Sequence, residues 1–268
     1  VKAGSTEILN INWYITDICN YKCLYCYTDN KNSKQCNYKL VMKRLNYIDQ
    51  KFKINILGGE PTLHNNLLDI VKILQNNENC IKINIITNFS KPIKYFDKLI
   101  KFSKVIFSVS YHPQYTDNSF KNKITYFKNK IIMIMNVIDS KDFFEFFGFI
   151  KQNNIQYELN YLNSTNNFIV KYSKDFLDKI QKIDNITIKH WDKDGKLYDI
   201  PEIDCYNISY YNWKCFPKTI KIDVNGNFRM LCASKDLDLL LKNINEPIIC
   251  PYEFCDACKG FHHEKYIS

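Results

Sequence analysis

The chain runs to 268 residues, 46% apolar and 24% charged, which suffices for a full globular core without disulfide staples and excludes a disordered chain. No apolar run approaches the ~18 residues of a membrane span, and no basic-then-apolar secretory signal opens the chain, so a cytoplasmic protein with no membrane partner is expected. The net charge of +9 rests on 35 lysines and only two arginines, Arg44 and Arg229; phosphate and base-edge readers lean on the arginine fork, so nucleic acid is not an expected partner.

In chain order, Ile8–Thr16 alternates apolar and polar residues as a half-buried strand does, and Tyr38–Gln50 carries Leu40, Val41, Leu45 and Ile48 at helical spacing. Lys53–Leu57 is a short strand running into Gly58-Gly59, followed by a helix over Leu67–Gln75. Strand Lys82–Thr87, helix Ile93–Phe102, strand Val105–Ser110 and helix Ser119–Phe127 come next. Strand Ile131–Val137, helix Asp142–Gln152 and strand Ile155–Leu162 close the series. The Phe143–Phe149 run, FFEFFGF, reads as a helix wedged into the core.

Such alternation predicts an α/β fold with a parallel sheet and helices outside it. Six units cannot close the usual eight-stranded barrel, so the expectation is an open, partial (β/α)6 TIM-like barrel with its active site at the carboxyl ends of the strands. The polar stretch Asn163–Asn167 is the expected boundary, giving a barrel over 1–163 and a small C-terminal α+β domain over 164–268. Phe168–Ile183 reads as one further helix. In Lys221–Met230 the Asn225-Gly226 pair between strand-like arms predicts a hairpin whose two central residues take positive φ.

The eleven cysteines are unevenly spread. An odd number without an export signal argues against a disulfide framework and for metal sites. Cys19, Cys23 and Cys26 form one loop cluster; Cys205, Cys215, Cys232, Cys250, Cys255 and Cys258 crowd the last quarter; Cys36 and Cys80 stand alone and read as ordinary thiols. From spacing alone, Cys19-x3-Cys23-x2-Cys26 fits either three ligands of a zinc site or three thiolates of a four-iron cluster with one iron left open.

The companions of that loop resemble the radical S-adenosylmethionine (radical SAM) superfamily: the CxxxCxxC loop has an aromatic residue, Tyr25, before its last cysteine, and Gly58-Gly59-Glu60-Pro61 ends the second strand. The resemblance covers roughly Ile8 to Leu162 and implies a [4Fe–4S] cluster on Cys19, Cys23 and Cys26, with SAM on the open iron. It implies that Gly58 and Gly59 allow close backbone approach to the methionine moiety, that Glu60 accepts from its ammonium group, and that the Tyr25 region packs on adenine. Thr87-Asn88 resembles the family's TN segment; Ser108 or Ser110 and Asn136 are candidates for ribose or carboxylate contacts. The implied reaction is reductive cleavage of SAM to a 5′-deoxyadenosyl radical that abstracts hydrogen from a substrate C–H. An electron donor such as flavodoxin or ferredoxin is implied with it.

The hairpin flanked by Cys215 and Cys232, followed by Cys255-x2-Cys258, resembles the twitch domain of such enzymes, a shortened SPASM module holding one auxiliary [4Fe–4S] cluster. The resemblance implies Cys215, Cys232, Cys255 and Cys258 as ligands, with Cys205 and Cys250 as rivals. The glycine-to-cysteine interval is one residue longer than the family pattern, and a zinc ribbon is the competing reading. His112, at the end of strand four, is a candidate substrate contact or a loop-packing residue, and His262-His263 reads as a solvated terminus. Strand one starts at Ile8, which leaves no room for a leader-recognition domain ahead of it, so a small polar metabolite is the expected substrate. Modification of a peptide or protein side chain, or a non-catalytic zinc or iron–sulfur module, are the alternatives.

Overall fold

The structure, a computed structural model, describes residues 8–26, 34–162, 171–184, 190–191, 197–198, 214–216, 219–230, 248–249 and 262–264. Six βα units follow one another: β1 (Leu9–Thr16), α1 (Tyr38–Leu45), β2 (Phe52–Gly58), α2 (Leu67–Asn76), β3 (Cys80–Thr87), α3 (Ile93–Leu99), β4 (Val105–Ser110), α4 (Asn118–Tyr126), β5 (Ile131–Val137), α5 (Lys141–Gln152), β6 (Tyr157–Tyr161) and α6 (Lys174–Asp184). Short strands follow: β7 (His190–Trp191), β8 (Leu197–Tyr198), β9 (Lys214–Phe216), β10 (Thr219–Ile222), β11 (Phe228–Met230), β12 (Ile248–Ile249) and β13 (His262–Glu264).

Strands β1 to β6 lie side by side in sequence order, every pair parallel. The expected α/β parallel sheet of six strands is therefore present. Beyond β1 the same sheet continues with β10, parallel to β1, and β11, antiparallel to β10. The hairpin of the C-terminal third is thus built onto the open edge of the barrel sheet, a long-range placement that no local pattern reveals. In the remainder, β9 lies between β12 and β13, and β7 pairs with β8.

The two faces of the sheet differ. Ile11, Trp13 and Ile15 on β1, Ile54 and Ile56 on β2, and Ile83 and Ile85 on β3 are fully buried against the helices, because alternate residues of a strand point to one side. At ~1.5–3 kcal/mol per buried large side chain, this outer layer dominates the stability of the fold. The phenylalanine-rich α5 joins it through Phe143, Phe146 and Phe147, as expected from its sequence.

The inner face is polar at its lower level. Asn12, Asn55 and Asn84 stand opposite one another in register. Asn55 Nδ2 donates to Asn12 Oδ1 (2.8 Å), Asn84 Nδ2 to Asn55 Oδ1 (3.0 Å), and Ser108 Oγ to Asn84 Oδ1 (3.0 Å). The recurring Ile-Asn-apolar triplet at 11–13, 54–56 and 83–85 is the sequence signal for this ladder.

Several expectations shift. Helix α1 stops at Leu45, five residues short of Gln50, and its end closes in tighter turns, Tyr47 N donating to Arg44 O and Ile48 N to Leu45 O. The hairpin turn is also different. Of Asn225 and Gly226 only Gly226 takes positive φ (82°), and Asp223 N donates to Asn227 O across a three-residue loop, Val224–Gly226. The cause is Asp223, whose Oδ1 accepts from Asn225 N (2.9 Å) and Asn227 N (3.0 Å) and so favours a tight turn beginning one residue earlier.

Candidate active site

The cysteine loop follows β1, and Gly58-Gly59-Glu60-Pro61 follows β2, so the parallel pairing of β1 and β2 sets both at the carboxyl edge. Together they line a cavity of about 500 Å³ that also takes in Tyr21, Tyr25, Asn88, Ser110, His112 and Asn136. Of the residues expected at a cofactor, Tyr25, Gly58, Gly59, Glu60, Thr87, Asn88, Ser110 and Asn136 all line it, as do Cys19, Cys23 and Cys26. Ser108 is one level below, bonded to Asn84, and does not reach the cavity.

Gly58 and Gly59 are required by backbone contact. A Cβ on Gly58 would stand 2.2 Å from Thr16 O, and one on Gly59 2.4 Å from Ile18 O. The close approach lets Gly59 N donate to Thr16 O and Glu60 N to Ile18 O, both at 2.7 Å. Two backbone bonds thereby tie the glycine segment to the end of β1 and to the residue that precedes Cys19.

Glu60 is 1% exposed and accepts four hydrogen bonds. Its Oε1 takes Thr62 N (3.0 Å), Thr62 Oγ1 (2.6 Å) and Thr87 Oγ1 (2.6 Å), and its Oε2 takes Asn88 N (2.6 Å). Burial lifts its carboxyl above the usual range, against the pull of those donors. Thr87 therefore bonds to Glu60 through its hydroxyl, while Asn88 Nδ2 donates to Asn20 Oδ1 (2.9 Å) in the cysteine loop. The Thr87-Asn88 turn thus joins the glycine segment to the cysteine loop.

That turn is held open by Phe89, at φ 59°, a conformation costing roughly 1 kcal/mol or more in a non-glycine residue. Two features hold it. The Phe89 ring packs on Phe96 (4.0 Å), Phe127 (5.6 Å) and Phe107 (5.9 Å), and the ammonium of Lys123 on α4 donates to the carbonyls of Phe89 and Lys91. Lys123→Met is expected to leave two carbonyls short of a donor and lower stability by ~1–3 kcal/mol, read as a urea midpoint. Burial lowers the Lys123 ammonium below its usual value. Between the lowered folded-state value and 10.5 the unfolded chain holds more protons, so wild-type stability rises with pH there, a slope the methionine variant should lack.

The β4–α4 loop covers the cysteine loop. Tyr115 stacks on Tyr21 (3.8 Å between centroids, 12° between planes), and its hydroxyl oxygen accepts from Lys22 N (3.0 Å). His112 reaches Cys23 Sγ (3.3 Å) and Tyr25 Oη (2.9 Å) with the same Nδ1. Burial lowers its pKa to about 4 and lifts the Cys23 thiol to about 11 in the metal-free protein. Glu158 and Asn160 on β6 also line the cavity, and Asn160 Nδ2 donates to Asn136 Oδ1 (2.8 Å). Neither was expected; the alternation in Tyr157-Glu158-Leu159-Asn160 was the available signal.

Among the described residues no three His, Cys, Asp or Glu side chains gather tightly enough for a single metal ion. The thiols of Cys19, Cys23 and Cys26 line one cavity, a donor set that suits a four-iron cluster, in which each thiolate takes its own iron. Cys36 and Cys80 are buried and do not line the cavity, as expected of packing thiols. Cys215 lies on β9, opposite Ile248 of β12 and His263 of β13, while Cys205, Cys232, Cys250, Cys255 and Cys258 lie outside the described residues. His262 and His263 are on β13. No helix among the described residues is long and apolar enough to cross a membrane.

Comparison with known proteins agrees with this geometry. The Radical SAM superfamily model matches residues 13–154, more than half of the chain, and the chain belongs to that superfamily. Membership implies SAM and a [4Fe–4S] cluster as cofactors. Among curated relatives, the uncharacterized protein MJ0907 of Methanocaldococcus jannaschii is 40% identical over 71 residues (25% of each chain). The S-adenosylmethionine-dependent nucleotide dehydratase of Fibrobacter sp. is 37% identical over 93 residues (30% of this chain, 27% of the relative). The match thus spans about a quarter of these relatives' length. Among solved structures, Streptococcus suis SuiB bound to S-adenosylmethionine shares the fold, with a TM-score of 0.60 at 15% identity over 83% of this chain and 60% of that one. SuiB has also been solved bound to its precursor peptide SuiA.

Proposed function

We propose that this chain is a radical SAM enzyme acting on a small polar metabolite, by dehydrogenation or a related modification. The observation carrying it is the single cavity in which Cys19, Cys23, Cys26 and the Gly58–Glu60 segment meet a polar wall of Asn136, Glu158 and Asn160. When bound, the cluster and SAM supply an electron and a 5′-deoxyadenosyl radical for hydrogen abstraction from a substrate C–H.

The chain's own residues do the rest. Cys19, Cys23 and Cys26 hold the cluster. Glu60, with one donor on Oε2 against three on Oε1, has acceptor capacity left for an ammonium group. Tyr25 offers a ring for adenine. The amides and carboxylate on β5 and β6 orient hydroxyl or amino groups of the substrate at the far side of the cavity. The half-buried ring of His112 and the stacked Tyr21 and Tyr115 cover part of the cysteine loop and reduce its exposure to water.

A second cluster on Cys215, Cys232, Cys255 and Cys258 belongs to the same proposal, taking up an electron or binding substrate. The pairing of Ile220 with Met230 supports it, because it returns the two flanks of the hairpin to one place. Electrons would come from a flavodoxin or ferredoxin.

Anaerobic reconstitution with iron and sulfide, followed by assay of 5′-deoxyadenosine under a strong reductant, tests the reading. Wild type should release 5′-deoxyadenosine and Cys23→Ala should lose at least a hundredfold. About eight irons per chain fits two clusters, whereas about four removes the auxiliary one. No SAM cleavage by a protein carrying its irons would leave a non-catalytic module. A mass change on a co-purified short peptide, with none on small metabolites, would favour the peptide reading.

A further inference from the structure

The β4–α4 loop carries a histidine whose contacts go beyond closing the cavity. His112 leaves β4 two residues after Ser110, and the Pro113–Tyr115 turn that follows returns the chain toward the cysteine loop. It is wedged there from two sides: edge-on to Tyr21 (5.5 Å, 88°) and parallel to Tyr25 (6.0 Å, 9°). Thr116 Oγ1 donates to His112 O (2.9 Å) and Tyr115 N to the same carbonyl (2.9 Å), so the backbone beneath the ring is fixed as well. In this position the ring's Nδ1 faces Cys23 Sγ at 3.3 Å and Tyr25 Oη at 2.9 Å.

Iron ligation removes the thiol proton of Cys23 and leaves a sulfur that can only accept. A nitrogen lone pair held 3.3 Å from that sulfur would be repelled by it, so the proton must sit on Nδ1. We infer that His112 donates an N–H···S hydrogen bond from Nδ1 to the Cys23 sulfur of the cluster and thereby sets the cluster's reduction potential. Hydrogen bonds to cluster sulfurs raise the potential, because the reduced cluster carries the extra negative charge that the donor stabilises. The hydroxyl of Tyr25, 2.9 Å from the same nitrogen, stays close enough to share the donor, which orients its ring over the cavity. His112 is then a positioning residue that ties the cluster's electronics to the aromatic wall, not a substrate contact.

The inference rests on Cys23 being a cluster ligand, and the test separates the two. The reconstituted full chain is titrated anaerobically with dithionite as the one-electron reductant, following the reduced-cluster EPR signal that SAM addition perturbs. His112→Leu should retain its irons but reach half-reduction at a more negative potential, by about tenfold in the reduced-to-oxidised ratio, or 59 mV for one electron. His112→Asn, whose side-chain NH2 can stand where Nδ1 stands, should recover most of that shift. In wild type without SAM, histidine labelled with 15N at the ring should give a hyperfine-coupled nitrogen in the pulsed EPR spectrum of the reduced cluster. This measurement needs no variant. An iron-loaded His112→Leu protein with the wild-type midpoint, or a labelled wild type with no coupled nitrogen, overturns the inference while leaving the cluster intact. A wild type that assembles no SAM-responsive cluster overturns the ligand assignment itself, and this inference with it.

Discussion

Gly59→Ala is expected to destabilise the chain by about 3 kcal/mol and to abolish cluster assembly, a larger loss than most substitutions cause. The added methyl would lie 2.4 Å from Ile18 O, 2.6 Å from Ile18 C and 2.8 Å from Asp17 O, all backbone atoms of the segment entering the cysteine loop. No flexible side chain is there to move aside, so the loop itself must shift. The shift breaks the 2.7 Å bonds from Gly59 N to Thr16 O and from Glu60 N to Ile18 O that couple β2 to the cysteine segment. Gly148 in α5 is the control. A Cβ there meets nothing within 4 Å, and its replacement by alanine should stabilise by ~0.5–1 kcal/mol through helix propensity alone. Urea midpoints and iron content measure both; a Gly59→Ala protein with wild-type midpoint and full iron would show that the close approach is not needed.

Glu60→Ala is expected to cost at least 3 kcal/mol and most of the SAM-dependent activity. It strands two backbone N–H groups, of Thr62 and Asn88, and two hydroxyls, of Thr62 and Thr87, all on buried residues. Glu60→Gln separates structure from binding. It keeps three acceptor contacts on one oxygen but turns an NH2 toward Asn88 N, so its stability should fall between wild type and alanine. Its lost charge should raise the SAM concentration needed for half-maximal cleavage more than it lowers the limiting rate. Equal effects on both parameters would mean that Glu60 only braces the Thr87-Asn88 turn.

These two residues also show what can be read in a chain before it is folded. The GGEP segment was legible as a motif because its spacing is local, and the parallel βα order placed it beside the cysteine loop. The reason for its glycines was not legible. It is a contact between Gly59 and Ile18, forty-one residues apart in the chain and brought together only by the pairing of β1 with β2. Thr87 shows a second limit: the TN pair lies at the cavity, yet which hydroxyl bonds which carboxylate depends on three elements meeting. Glu158 and Asn160 were overlooked because a polar residue alternating in a strand signals only a half-open face.

The hairpin divides in the same way. Asn225-Gly226 announced a turn, since local φ preferences act over a few residues, but Asp223 shifted the turn type by bonding to two backbone amides beyond it. That the hairpin extends the barrel sheet beside β1 is invisible locally, because an unpaired strand edge accepts any strand of suitable register.

Length and composition set a globular chain and argued against a membrane span. Periodicity supplied the order of six βα units, and Cys19, Cys23 and Cys26 together with Gly58-Gly59-Glu60-Pro61 supplied the family resemblance. All of these are encoded over short stretches of chain. Only the tertiary structure decided that one cavity unites them, that Lys123 and Phe89 hold its turn, and that His112 faces Cys23. Those are contacts between residues tens of positions apart, and their geometry exists only once the sheet has assembled.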